Sequence, residues 1–420
     1  MKIVHAADLH LDSPLRGLSR YEQAPAQQIR LATRRALENL VQLCLDEEAA
    51  LLVIAGDLYD DDWRDYATGL FFAAQMKRLR EANVPVVWIR GNHDAASKIT
   101  KNLRLPVNVH ELATRKAESR IFEEIGVAVH GQGFASPAVT QDLSEHYPAP
   151  VSGCINLGLL HTAIDGREGH APYAPCKLSR LVDRGYDYWA LGHVHRHEVL
   201  SRDPWVVFPG NLQGRHVKEC GAKGACLVTV ESERVVAVEH RPLDVVRWAV
   251  CEVDATPAAH ADDVVDRVAS ALESAAAEAE GRLLAARVVI TGHCRAHSEL
   301  TRDPERCLND IREASNEVGS GGVWLERVVI ATRVAFDLEE LRERGGPVGD
   351  LVGLLNAVRR DDEVLAGVLA ELSELRSKLP SELRRADPLL SLEDTAEIKR
   401  LLGDVEQMVV PRLLALEEGT

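Results

Sequence analysis

Five short apolar runs, at residues 2–7, 51–55, 84–89, 155–160 and 188–191, punctuate the first half of the chain. Each has the length of a strand, and stretches with helical periodicity lie between them, most clearly at 27–48 and 68–82. Strands that alternate with helices predict an α/β layered domain. From about residue 126 the pattern turns to short strands at 127–130, 206–208 and 225–230 separated by Gly and Pro, so the sheet is expected to continue with little helix. A first boundary is placed near Pro242.

Residues 243–335 carry a strand at 247–253, an Ala-rich helix at 258–280, a strand at 287–291, a helix at 304–318 and a strand at 324–332. That order predicts a small β-α-β-α-β domain. After Phe336 no strand pattern remains. Val364, Leu365, Val368, Leu369, Leu372, Leu375 and Leu379 fall on one helical stripe, so residues 336–420 are expected to be helical. Following two complete domains, an apolar stripe of this kind is expected to face a partner, with packing onto its own chain as the competing reading. The chain therefore divides into 1–242, 243–335 and 336–420.

Composition changes this picture little. With 420 residues, 46% hydrophobic and 27% charged, the chain has ordinary globular usage, which excludes collagen-like, disordered and transmembrane classes. The opening apolar run is too short for a signal peptide and ends in Asp8. Eight scattered cysteines without a CxxC pair point to no zinc knuckle or disulfide framework, and so to a reducing cytoplasm. No membrane partner is expected.

The net charge of −16 argues against nucleic acid if taken alone, because phosphates are bound mainly by Lys and Arg. Its distribution weakens that argument: residues 1–200 carry −3, 201–334 carry −5 and 335–420 carry −8. Acidic residues that hold divalent cations would make the surface of the first part neutral or positive.

The chemistry lies at the ends of the five apolar runs. Asp8-Leu9-His10, Gly56-Asp57, Gly91-Asn92-His93-Asp94, His161 and Gly192-His193-Val194-His195 follow them in order. In open α/β sheets the carboxyl ends of strands face one crevice, so these groups are expected to converge. An extended backbone would place both members of Asp8/His10 and of His193/His195 on one face, and Gly56, Gly91 and Gly192 would allow the sharp turns. Even with His93 and Asp94 set aside, two Asp, one Asn and four His exceed the needs of one ion and suit two ions bridged by a carboxylate. Mixed imidazole and carboxylate ligands favour manganese, iron or zinc over calcium. Such a pair of ions can clamp a phosphate for in-line attack by water.

These five ordered motifs resemble those of the calcineurin-like metallophosphoesterases. More closely, the strings at 8–18, 56–66, 185–195 and 209–216 resemble YhaO-type bacterial DNA repair exonucleases, relatives of the SbcD nuclease subunit. The resemblance implies a layered β-sandwich flanked by helices, a small α/β cap domain that could touch DNA, and a helical tail. It implies that Asp8, His10, Asp57 and His195 hold one ion and that Asp57, Asn92, His161 and His193 hold a second. Manganese is the expected metal, with iron, zinc or magnesium as alternatives. His93 would touch the scissile phosphate, with Asp94 orienting its ring. Asp60 departs from the family pattern: SbcD-like nucleases carry a His there. Arg215 and His216, in a modest basic cluster with Gln213, Lys218 and Lys223, would contact substrate phosphates. A solvated loop is the competing reading.

The resemblance implies a two-metal DNA exonuclease, with single-strand endonuclease activity as a variant, acting in DNA repair with an SMC-like ATPase gripped by residues 336–420. Association into a homodimer stays open. The rival readings are a small-nucleotide phosphodiesterase or phosphatase and a metal-stabilised scaffold. His5, His110, His130, His146, His170 and His197 belong to no motif and are read as structural. Cys176, in the string Tyr173-Ala174-Pro175-Cys176, is read as a small buried hydrophobe. The acidic run Asp60-Asp61-Asp62 could repel DNA or cap the following helix.

Overall fold

The apolar runs become strands buried on both faces, which is why they read as continuous rather than alternating. A computed structural model describes residues 1–13, 25–60, 66–96, 104–164, 173–318, 322–335, 341–343, 345–378 and 395–418. In chain order the first elements are β1 (Lys2–Ala6), α1 (Ala26–Arg30), α2 (Ala32–Asp46), β2 (Leu51–Ala55), α3 (Tyr66–Glu81), β3 (Val86–Ile89), α4 (Asn92–Ala96) and β4 (Val109–Glu111). Then come β5 (Glu118–Phe122), β6 (Val127–Gly131), β7 (Ile155–His161), α5 (Leu178–Asp183), β8 (Tyr188–Gly192), β9 (Glu198–Arg202), β10 (Trp205–Phe208), β11 (Gly224–Glu231) and β12 (Arg234–Pro242).

These strands build two six-stranded sheets, ordered β12-β11-β1-β2-β3-β4 and β5-β6-β7-β8-β10-β9. Strands β1 to β4 are parallel, as are β6, β7, β8 and β10. Alternate residues of one strand serve two cores. Ile3, Leu51, Val53, Val87 and Ile89 meet Val127, Leu157, Leu159 and Tyr188 between the sheets. Val4, Leu52, Ile54, Val86 and Trp88 face Leu37, Leu40 and Val41 of α2 and Phe72 and Met76 of α3. On its other face the second sheet buries Leu160, Trp189, Leu191 and Phe208 with Leu181 of α5. The layered α/β sandwich expected from the resemblance is what forms. The single continuing sheet expected from the strand pattern is not: β7 and β8 leave the first sheet and pair with β6 and β10 in a second.

Two compact units divide the chain, one made of Met1–Val250, Leu272–Arg287 and Val318–Arg327, the other of Cys251–Ala271, Val288–Glu317 and Val328–Thr420. Along residues 246–334 run β13 (Val246–Asp254), α6 (Ala261–Glu278), β14 (Leu283–Thr291), β15 (His293–Cys294), α7 (His297–Arg302), α8 (Pro304–Asn316), β16 (Val323–Ile330) and β17 (Arg333–Val334). A three-stranded sheet has the order β13-β14-β16. Asp303 caps α8 by accepting the Arg306 N–H, with Pro304 in its first turn.

The tail is helical over α9 (Gly346–Arg360), α10 (Asp362–Lys378) and α11 (Thr395–Glu418). Here the structure corrects the exposed stripe. Val364, Leu365, Val368 and Leu369 pack with Val358 of α9 and Ile398, Leu401 and Leu402 of α11. Val348 and Val352 likewise meet Val410, Leu413 and Leu414. An apolar stripe at helical spacing needs covering, and this chain's own helices cover that part of it. The side chains of Leu372 and Leu375, and Leu379 altogether, lie outside the described residues, as do Asp61, Asp62 and His170. Among the described residues no helix is long and apolar enough to cross a membrane.

Candidate metal centre

Parallel pairing brings the carboxyl ends of β1, β2 and β3 to one edge of the first sheet, and those of β7 and β8 to one edge of the second. His161 joins the two edges, its Nδ1–H donating to the Ala55 carbonyl at 2.9 Å. Beyond the strands the backbone does not stay extended. Asp8, His10, Asp57 and His193 have φ of 52°, 44°, 53° and 98°, in the left-handed region that costs a non-glycine residue about 1–3 kcal/mol. The i, i+2 pairs therefore do not share a strand face. Backbone bonds hold the strained turns: the Asp8 N–H donates to Gly56 O and the His10 N–H to Asp57 O, both at 3.0 Å.

The glycines also serve differently than expected. Gly56 has φ +94°, as a sharp turn requires, but Gly192 is there for close approach: a Cβ on it would lie 1.9 Å from the Ala55 carbonyl oxygen. A Cβ on Gly91 would lie 2.2 Å from an Asp57 carboxylate oxygen.

The seven expected ligands are brought together as two groups of facing acceptors. His10 Nδ1–H donates to Asp60 at 2.7 Å, and His195 Nδ1–H donates to Glu219 at 2.7 Å. Each carboxylate fixes the proton on Nδ1, so both Nε2 atoms present lone pairs, and they face each other at 3.2 Å. Asp8 Oδ1 stands 3.7 Å from His195 Nε2. The second group repeats the pattern. With its Nδ1 proton on Ala55 O, His161 directs Nε2 toward Asn92 Oδ1 (3.0 Å) and Asp57 Oδ2 (3.4 Å). The ring of His193 lies edge-on to that of His161 with centroids 5.2 Å apart.

Asp57 connects the groups. Its Oδ1 accepts the His93 backbone N–H at 3.0 Å, while Oδ2 is 3.4 Å from His161 Nε2 and 3.9 Å from His10 Nε2. Converging lone pairs and carboxylates repel one another unless cations lie among them, so the donor set fits two divalent metal ions. A proton at His161 Nε2 offsets the same carboxylate charge. Burial raises the Asp57 carboxyl, but the charge and hydrogen bond of His161 outweigh it and hold the pKa far below the usual range. Burial pulls the His161 imidazole down, yet Asp57 carries it up to about 9.

Asp94 does not orient His93. It is fully buried, and its two oxygens accept the backbone N–H groups of Leu58, Tyr59 and Gly91 at 3.0–3.1 Å. Two residues after Asn92 in α4, it is better placed to tie α4 to the loop after β2 than to reach an imidazole beside it. The carboxylate next to the His93 ring is Asp60, 3.4 Å from Nδ1. Asp60 also accepts from Ser13 Oγ.

Arg215 is committed to carboxylates rather than open to substrate. Its guanidinium spans Asp60 (3.4 Å) and Glu219 (3.1 Å), with the side chain only 14% exposed. Gln213 and Lys223 also turn inward, Lys223 Nζ donating to the His195 carbonyl at 2.6 Å. His216 stays at the surface, 55% exposed and 3.8 Å from Glu219.

Glu219 is the residue that motif reading misses. A single Glu in a loop between strands carries no local signal, and only the fold brings it under His195. Burial raises its carboxyl, but the hydrogen bond from His195 and the charge of Arg215 outweigh that and hold it ionised. Glu219→Ala is expected to weaken divalent-metal binding about 10–100-fold, because His195 loses the group that fixes its tautomer and ring angle. Metal titration of the variant measures this directly, and an unchanged Kd would contradict it.

The centre opens into a cavity of about 360 Å³ lined by Asp57, Asn92, His93, Pro137, Tyr173, His193 and His195. His93 is 32% exposed there.

Comparison with known proteins fits this geometry. Residues 1–197 match the calcineurin-like phosphoesterase family, and residues 248–333 match the middle domain of the metallophosphoesterase YhaO. An uncharacterized metallophosphoesterase YhaO of Bacillus subtilis (strain 168) is 31% identical over 406 residues, which cover 95% of this chain and 95% of that protein.

Proposed function

The chain belongs to the calcineurin-like metallophosphoesterases and is a metal-dependent phosphoester hydrolase, and from that premise we propose that its substrate is DNA, cut as an exonuclease in repair. The observation that carries the hydrolytic reading is the single oxygen Asp57 Oδ2, which faces both groups of acceptors at the floor of an open cavity. Two divalent ions held by Asp8, His10, Asp57, Asn92, His161, His193 and His195 supply Lewis acidity toward phosphoryl oxygens and an acidified water. Manganese is the proposed metal, in keeping with the mixed ligands.

The protein's own groups do the rest. Asp60 and Glu219 hold the His10 and His195 rings at fixed angles through their Nδ1 protons. The His93 backbone fixes Asp57, while its half-buried ring, beside Asp60, would hand a proton to the leaving oxygen. Asp94 acts at a distance by locking the turn that carries Asn92 and His93.

What favours DNA is the likeness of the strings at 8–18, 56–66, 185–195 and 209–216 to repair exonucleases, together with a domain at 248–333 beyond the hydrolytic one. An SMC-like ATPase is the proposed partner of the C-terminal helices, where Leu354, Val405 and Met408 are exposed large apolar side chains among the described residues. The test is manganese-dependent digestion of labelled single- and double-stranded DNA beside a nucleotide panel and a generic phosphodiester. Shortening of the strands is expected. Turnover confined to the nucleotides would replace this reading with that of a small-nucleotide phosphodiesterase.

A further inference from the structure

Among the residues lining the cavity, Tyr173 and Pro137 are the two that bring no metal-ligand type of side chain. Tyr173 is half-buried, and its ring lies edge-on to His193, with centroids 5.6 Å apart and planes at 72°. The aromatic wall thus stands one side chain from the second group of ligands. Pro137, exposed at the rim, adds a second flat apolar surface.

The backbone that carries this ring is tied directly to the residues after His161. The Ala163 N–H donates to Tyr173 O at 2.9 Å, and the Thr162 hydroxyl donates to Ala174 O at 2.7 Å. Thr162 Oγ1 also lies 3.4 Å from Cys176 Sγ, while the Ala174 N–H donates to Val139 O at 2.7 Å on the segment that bears Pro137. Ala174 is fully buried with φ +40°, a conformation that an alanine keeps only where its surroundings impose it. The string from Tyr173 to Cys176 is therefore a mount, and what it presents to the cavity is one aromatic ring in register with the metal ligands.

We propose that Tyr173 is a stacking site for the nucleobase adjacent to the scissile phosphate, which makes it a specificity-determining residue for unpaired nucleic-acid strands. A phosphate at the metal centre leaves the neighbouring base within one nucleotide of the ring, and every base offers a π-face, so the contact tolerates any sequence. A base held in a duplex stack is not available to it. The inference rests on the DNA reading above.

The full chain loaded with manganese tests it on a 5′-labelled single-stranded oligonucleotide and on the same strand carrying one abasic residue beside the first bond cut. In the wild type the abasic strand is expected to show a KM about 5–150-fold higher, the range for one lost base–aromatic contact. Tyr173→Phe should keep that discrimination. Tyr173→Ala should have the high KM on both strands, with manganese content per chain equal to that of the wild type. Wild-type KM for the intact strand in Tyr173→Ala would overturn the stacking site, and so would loss of metal from that variant, which would make the ring a wall of the centre. Failure of the wild type to cut any strand while it hydrolyses a generic phosphodiester would instead overturn the DNA reading, and the site with it.

Discussion

Asp57→Asn is expected to abolish metal-dependent hydrolysis of every substrate and to lower the metal content of the protein. The substitution is chosen to spare the fold: an amide oxygen can still accept the His93 N–H that Oδ1 accepts at 3.0 Å. What it removes is the negative charge and the oxygen that faces both His161 and His10. Two cations close together need a shared anion to offset their repulsion, and Asp57 Oδ2 lies within 3.9 Å of an imidazole of each group. The loss should exceed the roughly 10²–10⁴-fold that removal of a proton donor costs. Rates on a generic phosphodiester, with metal content measured on the same sample, provide the check. Wild-type turnover would leave the two-group assignment without support.

His93→Ala should give the opposite partition, with metal retained and turnover reduced about 10²–10⁴-fold. The ring is at the cavity mouth beside Asp60, whereas the atom that His93 contributes to Asp57 is its backbone N–H, which alanine keeps. The deficit should also depend on the leaving group. An ester that departs as a weakly basic phenolate needs little protonation and should lose far less than a DNA strand, whose alkoxide needs a proton. Metal loss equal to that of Asp57→Asn, or an equal deficit on both esters, would show that the side chain is a ligand and no acid.

Both variants act on groups that were legible as motifs before any geometry was known. The reason is physical: strands buried on both faces read as unbroken apolar runs, and the polar residues ending each run can only be at the edge of a sheet. Asp8, His10, Asp57, Asn92, His161, His193 and His195 are found that way. The conformation that gathers them is not, because left-handed backbone at Asp8, His10, Asp57 and His193 leaves no mark on residue type. The second sheet also escaped the strand pattern, although the family resemblance implied a sandwich. Its edge strands β5 and β9 are half-exposed and mixed in polarity, and pairing partners are a long-range choice that no local pattern records.

Misassigned roles have a common origin as well. Asp94 follows His93 in sequence, yet its carboxylate is spent on three backbone N–H groups, whereas Asp60 and Glu219 reach the imidazoles from other loops. Arg215 looks like a phosphate ligand until the two carboxylates beside it are seen. In the tail, a stripe of Val and Leu has the same spacing whether another chain or the same chain covers it, and α9 and α11 cover Val364, Leu365, Val368 and Leu369.

The most direct measurement is an anomalous difference map from crystals grown with manganese, collected for the wild type and for Asp57→Asn. The wild type should show two peaks flanking Asp57 Oδ2, one within ligating reach of Asp8, His10 and His195 and the other of Asn92, His161 and His193. Both should weaken or vanish in Asp57→Asn. A single peak in the wild type, or two peaks that persist unchanged without the Asp57 charge, would contradict a centre built on that shared carboxylate.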